Sequence, residues 1–242
     1  MDYTSKTNYL TFKLTKGLIG FNSRLSSSKL LTKLIFGFDV IPYHHQNCQN
    51  WDLSTLILKK ALDIYVKDNQ KILEVGTGHL AILSIYIAKK KEVYVTAIDI
   101  NPVYIENAKK NAKKNRVSIN LIHSDLFAKI DGRFDIIFFN PPYVTREWML
   151  KNNKELCTDS IFDLTWKGGP HGCDTIKRFL NNVESFTHCK SRIFLGVNSF
   201  FIDITKMKKI IQENNLILDR IISSLWNPSK TYVIKKGGTK CQ

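Results

Sequence analysis

Asn140-Pro141-Pro142-Tyr143 follows directly on the apolar run Ile136-Ile137-Phe138-Phe139. Consecutive prolines fix the backbone and remove amide donors, so this strand ends in a stiff corner rather than in the flexible turn that usually closes a strand. Rigid carbonyl acceptors suit work on a nitrogen that must be aimed. An amide, guanidine or ring-attached amino nitrogen has its lone pair delocalised and is a poor nucleophile. Two acceptors that hold its N–H groups can turn that lone pair outward. None of the six histidines stands out: His44 and His45 flank a loop, and His123 abuts Ser124-Asp125-Leu126-Phe127. No His, Cys, Asp or Glu spacing suits a metal.

A second group of residues suits a nucleotide. Glu74-Val75-Gly76-Thr77-Gly78 places a G-x-G turn between an apolar strand and an apolar helix. Glycine there permits a tight turn and close approach of a ligand to the free N–H groups of the helix start. No phosphate-cradling Lys-Ser/Thr follows, which disfavours a nucleoside triphosphate. Asp99 closes the next strand at about the interval where an acid meets ribose hydroxyls. Asp99 or Asn101 also suits the cap of the helix begun by Pro102. Asp125 closes a third strand and could hold an adenine amino group. Together, Glu74, Asp99 and Asp125 at successive strand ends describe an adenosine pocket.

The elements that must position these residues are short apolar strands alternating with longer amphipathic helices from Lys71 onward. That alternation calls for a parallel sheet covered on both faces, the α/β class. Strands are expected in KILEV, VYVTAID, SINLI, FDIIFF and RIFLGV. LILDRII and TYVIKK are expected to form an antiparallel pair at the end. A helix from about Asp52 to Val66 precedes the first strand, with Leu53, Leu56, Ile57, Leu62 and Tyr65 on one face. Further helices are expected near Asp174–Phe186 and Asp203–Asn214. Residues 1–50 read as a helical cap in which Leu30, Leu31, Leu34 and Ile35 form an apolar stripe, and residues 51–242 as the main domain.

The chain has 242 residues, 43% hydrophobic, with a formal net charge of +15. The charge is compatible with a polyanionic partner, but the lysines fall at helix ends and on polar faces, as solvated charge commonly does. No apolar run approaches a bilayer span and no secretory signal is visible, so a cytoplasmic location without membrane contact is expected. Five scattered cysteines fit neither a disulfide framework nor a zinc site and are expected to be free thiols. Oligomeric state is not legible.

The order of glycine turn, strand-two acid, SDLF and FDIIFFNPPY resembles the class I S-adenosylmethionine-dependent methyltransferases. Within them, SDLF, NPPYV and the later DLTWKGGPHGCDTIKRFL are similar to the HemK/PrmC family of protein glutamine N-methyltransferases. The resemblance covers about residues 52 to 236. It implies a Rossmann-like, seven-stranded sheet with an antiparallel last strand and helices on both faces. S-adenosyl-L-methionine is then the cofactor, contacted by Glu74, Gly76, Thr77, Gly78, Asp99, Ile100, Asp125, Leu126 and Asn140. It further implies that the Asn140 side-chain carbonyl and the Pro141 backbone carbonyl accept the two acceptor hydrogens while Tyr143 packs on the planar group. An aspartate at 140 is expected to keep much of that function. Gly168, Gly169 and Gly172 match the family's glycine segment. Leu80 replaces the usual third loop glycine and leaves His79 on the ligand side, and the short lead-in puts a release-factor acceptor in question. The acceptor implied is a planar nitrogen of a protein or small molecule, such as a glutamine-like amide, a free amino acid or a guanidine. An RNA or DNA exocyclic amine and a non-catalytic binding subunit stand as alternatives.

Overall fold

Seven strands form one sheet in the computed structural model, which describes residues 27–43, 51–145, 147, 168–169, 171–225 and 227–237. The parallel strands are β1 (Lys71–Val75), β2 (Tyr94–Asp99), β3 (Asn120–His123), β4 (Phe134–Phe139) and β5 (Thr187–Asn198). The hairpin strands β6 (Leu216–Ser224) and β7 (Asn227–Lys236) complete the order β3-β2-β1-β4-β5-β7-β6. β7 runs antiparallel to both β5 and β6, as the sequence pattern predicts.

Helices cover the sheet: α1 (Lys29–Phe36), α2 (Leu53–Tyr65), α3 (Ile82–Lys90), α4 (Pro102–Lys114), α5 (Asp174–Val183) and α6 (Ile204–Glu213). One core layer joins α2 and α3 to the sheet through Leu58, Leu62, Ile72, Ile85, Phe138 and Phe194. The opposite layer gathers Leu73, Ile137, Phe179, Ile193 and Tyr232. From Ile72 to Val75 and from Ile136 to Phe139 successive residues alternate between two buried faces, which is why apolar residues run on consecutively in Ile136–Phe139.

The register puts the chemistry on one edge. Val75 pairs with Ile98 and with Phe139, and Asp99 pairs with His123, so β1 to β4 all stop at the same level. The chain winds from β1 outward to β3, then returns to the other side of β1 as β4. The crevice between β1 and β4 is thus the point where strand order reverses, the place where open α/β sheets bind ligands.

Two sequence expectations change here. α1 turns Thr32 and Phe36 inward and leaves Leu30 and Leu34 exposed, 67% and 71%. Phe36 makes edge contacts with Trp51 and Tyr86, and the Trp51 indole N–H donates to Thr32 Oγ1 at 3.0 Å. That aromatic cluster and the satisfied buried hydroxyl decide the rotation of the helix over the leucine stripe. Phe36, Phe38 and Val40 lie in the same core as α2 and α3, so the described part of the lead-in is built onto the sheet domain. Cys189 is disulfide-bonded rather than free, while Cys173 is a free, buried thiol. Sequence spacing does not report which thiols the fold brings together. Cys48, Cys157 and Cys241 lie outside the described residues, as do His44 and His45.

Candidate active site

The glycine turn after β1 is held by its own neighbours. Glu74, 5% exposed, accepts from Thr77 Oγ1 at 2.7 Å and from Ser84 N at 3.2 Å and Oγ at 2.5 Å, all through one carboxylate oxygen. Burial pushes its carboxyl up to about 7, against the opposing pull of the Ser84 and Thr77 hydrogen bonds. Glu74 therefore ties the turn to the start of α3 from inside. Phe139 packs directly beneath Gly76, where a Cβ would approach its ring to 2.8 Å. Gly78 has φ +66°, and a Cβ there would meet nothing within 4 Å, so space opens in front of the turn.

Asp99 faces the same turn. One carboxylate oxygen accepts from Gly78 N at 2.8 Å and the other from Asn101 N at 2.9 Å. Burial raises its pKa to about 6, with those two amides pulling the other way. Asn101 caps α4 by accepting from Val103 N at 3.0 Å, so cap and strand-end acid are separate residues. Asp125 lies further out, 46% exposed at its side chain, and pairs with Arg178 of α5 at 2.8 Å. Leu126 adopts φ +44° because Ser124 Oγ donates back to its carbonyl at 2.9 Å. His123 Nε2 lies 3.0 Å from the Ile100 carbonyl, which closes the β2–β3 edge.

His79 is buried rather than turned to the ligand side. Its ring sits 5.5 Å from Tyr104 and 6.2 Å from Tyr43, and its backbone carbonyl accepts from Asn107 Nδ2 at 2.7 Å. Its Nε2 has no partner, and desolvation lowers its pKa to about 4. Leu80, 2% exposed, fills the core where a glycine would leave room.

The corner after β4 is gripped from three directions. The N-terminus of α2 supplies the first grip: Asn140 Nδ2 donates to Asp52 Oδ1 at 3.2 Å, and Ser54 Oγ lies 2.6 Å from Asn140 Oδ1. The Tyr143 hydroxyl donates to Asp52 Oδ2 at 3.1 Å. Burial and the Asp52 charge hold the Tyr143 phenol well above its ordinary range, so it stays neutral. Second, the Gly168–Gly172 segment lies against the backbone that follows Pro142. Gly168 N donates to Val144 O at 3.0 Å, and a Cβ at Gly168 would stand 2.8 Å from Tyr143 Cα. Gly172, with φ +70°, would place a Cβ 2.8 Å from the Tyr143 carbonyl oxygen. Third, Gly196 on β5 would bring a Cβ to 3.4 Å from Asn140 Oδ1. The Tyr143 ring stacks obliquely on Phe201 at 5.5 Å.

The structure thus brings Gly76, Gly78, Asp99 and Asn140 to one crevice, with Asp125 and Leu126 at its rim and Glu74 and Thr77 behind the turn. Asp52, Ser54 and Thr55 are residues that sequence reasoning read only as a helix start. Asp52 accepts from Thr55 N at 2.8 Å in a reciprocal capping box. Nothing in the sequence says that this cap faces residue 140.

The donor set fits an adenosyl cofactor. A buried carboxylate fixed by two backbone amides can accept from vicinal hydroxyls, and the open space before Gly78 admits a ligand to the loop.

The chain is similar to known proteins along its length. The methyltransferase small domain model matches residues 47–168. A protein provisionally named protein N5-glutamine methyltransferase from Methanocaldococcus jannaschii is 37% identical over 133 residues, 55% of this chain and 62% of that protein. The release factor glutamine methyltransferase of Streptococcus pneumoniae is 38% identical over 96 residues, 40% of this chain and 33% of that protein. The chain therefore spans less than two thirds of either relative's length. A methyltransferase structure from Pyrococcus furiosus superposes with a TM-score of 0.65 at 18% identity, covering 94% of this chain and 99% of that one, which establishes the shared fold. With the model match extending over half of its length, the chain belongs to the methyltransferase small domain family.

Proposed function

We propose that this protein is an S-adenosylmethionine-dependent N-methyltransferase whose acceptor is a side-chain amide nitrogen of a protein, of the glutamine type. The observation that carries the reading is the corner itself: Asn140 and Tyr143 are fixed by hydrogen bonds before any acceptor arrives, at the crevice that also holds Asp99. The names of the two relatives, both glutamine methyltransferases, support the amide.

In this reading Asp99 accepts from the ribose hydroxyls, Asp125 holds the adenine amino group, and Ile100 and Leu126 flank the base. Gly76 and Gly78 admit the cofactor to the backbone of the turn, which Glu74 and Thr77 keep in shape. S-adenosylmethionine supplies an electrophilic methyl group when bound. Asn140 Oδ1 and the Pro141 carbonyl accept the two amide hydrogens, so the nitrogen lone pair is turned out of conjugation, and Tyr143 packs on the planar group. Because Pro141 and Pro142 cannot relax, the acceptors need no reorganisation. The nitrogen proton, acidified by alkylation, leaves to solvent. Residues 1–50 form a cap on a methyltransferase domain of residues 51–242, and the protein works in the cytoplasm. Among the described residues, no helix is long and apolar enough to cross a membrane.

The net charge of +15 favours a second reading, an exocyclic amine of RNA or DNA. Methyl-labelled cofactor offered with total protein, total RNA and low-mass extract separates the two. We expect label in protein, with little change between about 50 and 200 mM salt. Label in RNA with a steep salt slope would replace the amide by a nucleobase.

A further inference from the structure

The Asn140 amide can act as an acceptor only if its oxygen, not its NH2, faces the reacting nitrogen. Either orientation has the same shape, so some neighbour must choose. Asp52 is the neighbour able to do so. Its carboxylate accepts and cannot donate, and Oδ1 is already fixed by Thr55 N at 2.8 Å and Thr55 Oγ1 at 2.8 Å. Asn140 must therefore present Nδ2 to Asp52, at 3.2 Å, which leaves Oδ1 clear of that carboxylate and within 2.6 Å of Ser54 Oγ. Asp52 Oδ2 meanwhile receives the Tyr143 hydroxyl, so one carboxylate fixes both side chains of the corner.

Ser54 completes the arrangement. Its hydroxyl carries one proton, yet three acceptor oxygens surround it: Asn140 Oδ1 at 2.6 Å, Asp52 Oδ1 at 2.6 Å and Asp52 Oδ2 at 2.8 Å. A proton given to Asn140 can turn to Asp52 without moving the oxygen. Asn140 Oδ1 is then released to an incoming N–H, while the Ser54 proton stays satisfied. The single Ser54 proton can serve only one of these three oxygens at a time, so an incoming N–H can take its place on Asn140 Oδ1.

We propose that Asp52 is a positioning residue for the methyl acceptor: it sets the orientation of the Asn140 amide and anchors Tyr143, with Ser54 standing in for the substrate N–H until the acceptor binds. This rests on the proposed methyl-transfer reading. It assigns Asp52 no proton-accepting role, because its oxygens already receive hydrogen bonds from Thr55, Ser54, Asn140 and Tyr143.

Two substitutions distinguish this role from its rivals. Asp52→Ser keeps an N-cap oxygen for Thr55 N but is too short to reach Asn140 and Tyr143. Asp52→Asn keeps the one oxygen that both caps Thr55 N and faces Asn140 Nδ2, and puts at the Oδ2 position an NH2 that can donate to the Tyr143 hydroxyl oxygen. The measurement is kcat for label transfer from S-adenosylmethionine into an extract holding protein, RNA and small molecules, alongside cofactor Kd and melting temperature. We expect Asp52→Asn to fall about threefold and Asp52→Ser about 100-fold in kcat, the cost of an acceptor misplaced by roughly 1 Å, with cofactor Kd unchanged in both. Equal, near-native rates would reduce Asp52 to a helix cap. Equal, severe losses would make its charge, and not its placement of Asn140, the operative property. Either result overturns the proposal. Transfer by the wild type into RNA alone would displace the amide reading while leaving this comparison valid. No transfer into any fraction would overturn both.

Discussion

The two sides of the crevice are built in different ways. On the cofactor side, the contacts that shape the turn join residues close in sequence: Glu74 to Thr77 and Ser84, Asp99 to Asn101, and Gly78 to an acid on the next strand. On the acceptor side, the corner at Asn140–Tyr143 is held by Asp52 and Ser54, 86 to 91 residues earlier, and by Gly168, Gly172 and Gly196, which arrive later in the chain. A local device can be written once and reused; a long-range clamp is specific to the whole fold. The difference suggests where specificity resides. In the proposed reading the turn admits a common cofactor, whereas the acceptor is judged by groups that only the complete domain assembles.

If the sides are separable, substitutions should sort cleanly between cofactor affinity and turnover. The largest effect is expected at Asn140. Asn140→Ala should lower kcat by roughly 100- to 1000-fold, the scale of removing one preorganised hydrogen-bonding partner from a reacting group, with cofactor Kd unchanged by calorimetry. On sequence grounds an aspartate at 140 would be mild, but the Asp52 oxygen 3.2 Å from Asn140 Nδ2 reverses that expectation. Two carboxylates would face each other, so Asn140→Asp should lose nearly as much as the alanine variant. A retained rate in either variant would break the acceptor half of the comparison.

Gly172→Ala should come next. A side chain there is strained by φ +70° and would stand 2.8 Å from the Tyr143 carbonyl oxygen, so Tyr143 must shift. We expect a kcat loss of about tenfold to 100-fold and a lower melting temperature, the strain amounting to roughly 1–2 kcal/mol. A changed cofactor Kd in this variant would blur the separation. Asp99→Ala probes the other side. Losing a charge-assisted acceptor should weaken S-adenosylmethionine by about tenfold or more in calorimetry. Unchanged affinity would remove Asp99 from the ribose.

The smallest effect is a pH dependence at His79. Its folded pKa, about 4, lies below the ordinary 6.5, so burial contributes stability that is present above pH 6.5 and is lost as pH falls through 4. His79→Phe retains a ring beside Tyr43 and Tyr104 and removes the orphaned Nε2. It should raise stability by about 1 kcal/mol at neutral pH and flatten the acid limb of melting temperature between pH 6.5 and 4. An unaltered acid limb would mean that other groups govern it.

The same contrast explains what the sequence could convey. The strands β1 to β4, the glycine turn and Asp99 were legible because apolar period, turn glycine and strand-end acid lie side by side in the chain. The corner announced itself through Pro141 and Pro142. Its clamp did not: Asp52 looks like a helix cap because it is one, and only the packing of α2 over β5 and β7 turns the cap toward Asn140. Leu30 and Leu34 misled for a related reason. Helical spacing marks a face as apolar, but Phe36 and its aromatic partners chose which face the core received. His79 stands next to a loop glycine, a place that points to the ligand, but its ring packs inside with Tyr43 and Tyr104, contacts that no local spacing records.

The central claim is that the corner aims a planar nitrogen. Fragment mass spectrometry of the methylated product formed by the wild-type protein, locating the new methyl group atom by atom, tests it most directly. The account predicts one methyl on a side-chain amide nitrogen of a protein. A methyl on oxygen, sulfur, carbon or a tetrahedral amine nitrogen would contradict it.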